Sequence, residues 1–121
     1  MANFQTRKYE NPLDDRTLEF GKKVIKLCKV LPKNTVTIEP IKQIMRSGCS
    51  IGANYREAND ALSRKDFVHR LKISRKEAKE TMYWFELLME ASPEFRKDIE
   101  PLTQEVYELV KILSAIIEKS K

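Results

Sequence analysis

Between positions 41 and 62 the apolar and small residues Ile41, Ile44, Gly48, Ile51, Tyr55, Ala58 and Leu62 recur at alternating steps of three and four. Three repeats of that spacing mark a seam along one side of an α-helix, which the period-two pattern of a strand does not produce. A lone helix cannot bury such a seam, so the chain needs partner helices. The same rhythm returns twice downstream. Phe67, Leu71, Ser74, Ala78, Met82, Phe85 and Leu88 or Met89 trace one seam, and Leu102, Val106, Leu109, Leu113 and Ile116 trace another. Upstream, Leu18, Val24, Ile25, Cys28 and Leu31 give a first, less regular stripe.

Breakers separate the seams. Pro32, Pro40, Pro93 and Pro101 lie at or between their ends, and glycine occurs only three times. The first 13 residues carry no periodicity and contain Asn11-Pro12, so 1–13 is expected to be a flexible arm and 14–121 the folded domain. Asp14 or Asp15 is expected to cap the first helix, which runs to about Val30. Pro40 is suited to open the second, because the first turn of a helix needs no donor there. Ser63 with Asp66 three residues on resembles a capping box at the start of the third. Asp98 or Glu100 before Pro101 is expected to start the fourth. Short connections between long helices favour antiparallel neighbours, which predicts an all-α, up-down-up-down antiparallel four-helix bundle.

The chain of 121 residues is 34% charged and 41% apolar, within the range of a single globular domain. No apolar run approaches the ~18 residues of a membrane span, and the N-terminus has no signal-type apolar stretch, so a cytoplasmic protein is expected. Cys28, Cys49 and the lone His69 cannot make up the four nitrogen and sulfur ligands of a structural zinc site. No metal, cofactor or small-molecule substrate is expected. The two cysteines are most simply buried apolar thiols, with a disulfide between them the alternative.

The net charge of +5 is unevenly placed. Residues 21–56 hold eight Lys/Arg and one acid, residues 63–80 hold seven and three, and residues 86–121 hold five and eight. Lys22, Lys26 and Lys29, followed by Lys33, line up on the first helix. Lys65, Lys72, Lys76 and Lys79 share a face of the third, with His69 among them. Such lines can follow nucleic-acid phosphates, in a manner that weakens with salt. They can equally keep a helical surface soluble. No aromatics alternate with the bases, which argues against a stacking platform for sequence-specific readout of single strands.

The central stretch resembles a known family. Arg46, Ser47, Ser50, Ile51, Ala53, Asn54, Glu57 and Ala58 match the R-S-x-x-S-I-x-A-N-x-x-E-A signature of the four helix bundle protein family, whose members are encoded by intervening sequences in bacterial large-subunit ribosomal RNA genes. Ser63, Asp66 and Phe67 match its S-x-x-D-F segment. Glu77, Glu80, Tyr83 and Trp84 match its E-x-x-E-x-x-Y-W segment, and Leu31-Pro32 fits after the first helix. The resemblance runs from about Thr17 to Ile117. It implies a four-helix bundle that assembles as a ring-shaped homopentamer, with no established enzymatic activity. A related pentameric bundle, the accessory variability protein of diversity-generating retroelements, binds nucleic acid beside a reverse transcriptase.

Read physically, the signature's polar residues border the seams, where a charge is tolerable only when paired. Arg46 is therefore expected to meet Glu57, Glu77 or Glu80, between helices two and three or across subunits, with Ser50 and Asn54 on the same small, polar stripe of the second helix. Gly48 and Gly52 predict close helix packing. No nucleophile, base or metal cluster accompanies the carboxylates, so no catalytic residue is assigned. The resulting expectation is a non-catalytic, homo-oligomeric protein that binds RNA or DNA through the basic faces of helices one and three. Two alternatives stand beside it. One is an interaction scaffold without nucleic acid. The other is a metal-independent ribonuclease, because Arg64 and His69 have the R-x4-H spacing that resembles the motif of HEPN domains.

Overall fold

The computed structural model describes residues 11–121. The chain forms helices α1 (Pro12–Val30), α2 (Ile38–Asn59), α3 (Arg64–Ala91) and α4 (Arg96–Ser120), with a 3-10 turn at Pro93–Phe95 leading into α4. No strand occurs among the described residues. Consecutive helices pack side by side and α4 closes against α1, which leaves α1 and α3 at diagonal corners. The fold is an all-α four-helix bundle.

The core follows the seams closely on α2, α3 and α4. Ile41, Ile44, Ile51, Tyr55 and Ala58 meet Leu71, Ala78, Phe85 and Leu88, and Ile99, Leu102, Val106, Leu109 and Leu113 complete the interior. Phe20 and Phe85 pack edge to face across it, with centroids 6.4 Å apart. Two seam ends differ from expectation. Leu62 is fully exposed, because the Asp60 amide bonds back to the Arg56 and Glu57 carbonyls and the chain turns before Leu62 is reached. On α4 the interior position is Ile117, four residues after Leu113, while Ile116 is only partly buried.

The first helix differs more. Pro12, Leu13 and the following residues are helical, so the helix starts inside the segment expected to be an arm; residues 1–10 lie outside the described residues. Pro12 is at the first helical position, where its missing donor costs nothing. Neither Asp14 nor Asp15 caps the helix. Asn11 stands at the cap, and its side-chain oxygen accepts from the Tyr55 hydroxyl at 2.7 Å. Asp14 is buried and accepts from Arg56 Nε at 2.7 Å. The buried stripe is Leu13, Thr17, Phe20, Val24, Leu27, Cys28 and Leu31, whereas Leu18 and Ile25 lie about two-fifths exposed over a groove against α2.

The glycines of α2 explain why α1 approaches so closely. A β-carbon on Gly52 would stand 2.9 Å from Thr17 Oγ1, and one on Gly48 would stand 3.2 Å from a Val24 methyl. The α1–α2 connection is held by Thr37, whose hydroxyl donates to the Pro32 carbonyl at 2.6 Å, while Asn34 Oδ1 accepts the Val36 and Thr37 amides. Thus α2 begins at Ile38, before Pro40. At α3 the Ser63 hydroxyl accepts the Asp66 amide at 3.1 Å, as its spacing predicts. Pro101 lies inside α4, because Pro93–Phe95 has already begun the helical path by then. Both cysteines are free thiols, and burial pushes that of Cys28 up to about 11.

Candidate nucleic-acid interface

The helix α3 turns three different faces outward and inward. Leu71, Ser74, Ala78, Thr81, Phe85 and Leu88 point to the core. The face toward α2 carries charge, and the charge there is paired. Arg46 on α2 donates through Nη1 to Glu77 Oε1 at 3.2 Å and through Nη2 to Glu80. Glu77 is nearly buried, so Arg46 supplies the cation its carboxylate needs. The Arg46 hydrogen bond is the main reason the Glu80 carboxyl is held below its ordinary range, with smaller help from Trp84 Nε1 at 3.4 Å.

Neutral hydrogen bonds continue the same interface. Ser74 Oγ donates to the Ile51 carbonyl at 2.7 Å, and the Thr81 and Ser47 hydroxyls lie 2.8 Å apart. Arg70 reaches Glu57 at 3.4 Å and Asp66 at 3.6 Å. The residues expected to form one polar network therefore divide. Arg46, Glu77 and Glu80 form one cluster and Glu57 joins a second one around Arg70. Ser50 and Asn54 bond to carbonyls of their own helix, those of Arg46 and Ser50. A one-turn spacing lets short side chains reach the preceding turn's carbonyl before they reach α3.

The outward face of α3 is different. Lys65, His69, Lys72, Lys76, Lys79 and Tyr83 follow one another at steps of four and three, and all are exposed. None of the four lysines is within ion-pairing distance of a carboxylate among the described residues. Between Lys65 and Lys79 the ridge is about 21 Å long at the helical rise. Near its start Arg64, Lys65, His69, Lys72 and the C-terminal Lys121 line a shallow groove between α3 and the end of α4. Glu118 stands beside that groove. It is bonded to Lys121 at 2.8 Å, which lowers its carboxyl, with Arg75 and Lys72 adding smaller effects.

On α1, Lys22, Lys26 and Lys29 are also exposed, although Lys22 pairs with Glu19 at 3.4 Å. Lys33 is not part of that line. Its ammonium donates to the Leu31 carbonyl at 3.0 Å and to that of Cys28, so it caps the end of α1. Because α1 and α3 occupy diagonal corners, their basic lines form two surfaces and not one. Arg64 and His69 share the α3 groove with three lysines, but no cluster of three or more His, Cys, Asp or Glu with metal-binding geometry occurs among the described residues.

Sequence reasoning passed over the Arg56–Asp14 pair, whose partners are 42 residues apart and carry no local signal. It also passed over Tyr83 as a member of the basic ridge. The signal was present: Tyr83 follows Lys79 by four residues, one turn further along the same face.

No helix among the described residues is long and apolar enough to cross a membrane. Among proteins of known structure, the chain is similar to a protein of unknown function from the S23 ribosomal protein family of Bacteroides thetaiotaomicron VPI-5482. The two are 42% identical, with a TM-score of 0.76 over 86% of this chain and 96% of the other. None of the curated proteins matches the chain. The family model described as 23S rRNA-intervening sequence protein matches residues 13–115, nearly the whole bundle. The bundle, its polar α2–α3 seam and this match together make the chain a member of the 23S rRNA-intervening sequence protein family.

Proposed function

We propose that this is a non-catalytic, cytoplasmic, homo-oligomeric protein that binds nucleic acid through phosphate contacts. Lys65, Lys72, Lys76 and Lys79 form the principal surface, and Lys22, Lys26 and Lys29 a secondary one. One observation carries the reading: the four α3 lysines share one exposed face and have no carboxylate within ion-pairing distance among the described residues, unlike most of the described arginines. Arg16, Arg46, Arg56, Arg70 and Arg96 all have carboxylate partners. An unpaired line of ammonium groups is available to displace the counterions condensed on a phosphate backbone.

Assembly strengthens the effect. Leu18 and Ile25 lie exposed beside Gly21, Cys49, Gly52 and Ala53, where small residues allow another surface to come close. A contact between copies there covers apolar area on the α1–α2 side, with Lys22 at its edge, and leaves the α3 ridge as the principal outward basic surface. In a ring of five, each ridge is then presented five times, and avidity rises without new contacts.

Mobility-shift titrations with RNA and duplex DNA at ~50 mM and ~200 mM salt test the reading, because phosphate binding falls steeply across that range. Charge reversal at Lys72 and Lys76 is expected to weaken binding for all sequences, on the order of a hundredfold for the pair. No binding to either nucleic acid at the lower salt would overturn it in favour of a protein-interaction scaffold. Light scattering tests the assembly, with a monomer as the contradicting result.

A further inference from the structure

Building on the phosphate-binding reading, we infer that the α3 ridge takes a single strand, with Tyr83 as the platform on which an unpaired base stacks. The ridge has one line of cations, and the α1 line is at the opposite corner of the bundle, so the ridge itself meets one phosphate backbone. Tyr83 stands one turn beyond Lys79, about 6 Å along the axis, and its side is more than half exposed. Past it the face turns acidic with Glu86 and Glu90, both exposed, so the run of phosphate sites ends where the aromatic ring begins. A ring at the end of a phosphate track can be used by a strand whose bases are free to turn outward. A duplex keeps those faces in its own stack.

The ring is also held in place. Tyr83 packs edge to face on Trp84, with centroids 5.4 Å apart and planes at 75°. Trp84 Nε1 donates to Glu80, and Glu80 is fixed by Arg46. The paired seam thus backs the stacking residue from behind, which reduces the freedom a base would otherwise have to quench on binding.

Binding of a short oligodeoxythymidylate and of a blunt duplex of the same length, followed by the fluorescence of Trp84, the only tryptophan, tests this. Wild type is expected to prefer the single strand and to show saturable quenching. Tyr83→Ala is expected to lose about tenfold in single-strand affinity, the worth of one stacked base, and to leave duplex affinity within about twofold. Tyr83→Phe keeps the ring and is expected to match wild type. If Tyr83→Ala binds the single strand as tightly as wild type, or weakens both ligands equally, the stacking role is overturned while the lysine surface stands. A duplex bound more tightly than the single strand also overturns it. If wild type binds neither, both readings fall together.

Discussion

Two faces of one helix use the same kind of residue in opposite ways. Toward α2, the charges of α3 are locked: Glu77 and Glu80 onto Arg46, and Arg70 onto Glu57 and Asp66. Away from the bundle, Lys65, Lys72, Lys76 and Lys79 have no carboxylate partner among the described residues. Charge type follows the division. Arginine's planar fork can hold two carboxylates at once and suits a partly covered seam, while the lysine ammonium stays well hydrated at an exposed ridge. The seam therefore belongs to stability, and the ridge to whatever meets the surface. Total charge hides this difference.

The division can be broken experimentally from either side. The largest stability effect is expected from Arg46→Ala, which leaves the nearly buried Glu77 without its cation. A loss of about 2 kcal/mol in urea unfolding is expected, with nucleic-acid affinity of the folded protein little changed except through Tyr83. Lys72→Gln with Lys76→Gln should do the reverse, changing the unfolding free energy by less than about 0.5 kcal/mol while weakening binding.

The smallest effect concerns pH. Because the folded Glu80 carboxyl is held below its ordinary range, its bond to Arg46 stabilises the fold fully above that range. The contribution is lost as pH falls through the lowered native value. Arg46 is half exposed, so the contribution is well under about 1 kcal/mol. Stability curves of wild type and Glu80→Gln should therefore converge toward acid pH and separate near neutrality. Curves that stay parallel would remove Glu80 from the seam.

The heptad spacing made α2, α3 and α4 legible, since most of their apolar positions have one plausible use. On α1 periodicity misled. Leu18 and Ile25 look like core residues but line an external groove, while the polar Asp14 and Thr17 are buried because Arg56 and a backbone carbonyl satisfy them. Spacing reports which residues share a face, and it does not report which of two apolar stripes the neighbouring helix covers. The partners of Arg46 were legible as a set of three, but choosing Glu77 and Glu80 over Glu57 required the register between α2 and α3. Tyr83 was passed over, although its spacing was visible in the sequence, because it stands at the end of the basic ridge and not between two lysines.

The most direct test of the division is the salt dependence of binding with all four ridge lysines, Lys65, Lys72, Lys76 and Lys79, changed to glutamine. If the ridge holds phosphates, the slope of log affinity against log salt should become shallower by about three to four, with thermal unfolding nearly unchanged. A slope equal to that of wild type would contradict the assignment of the ridge as the nucleic-acid surface.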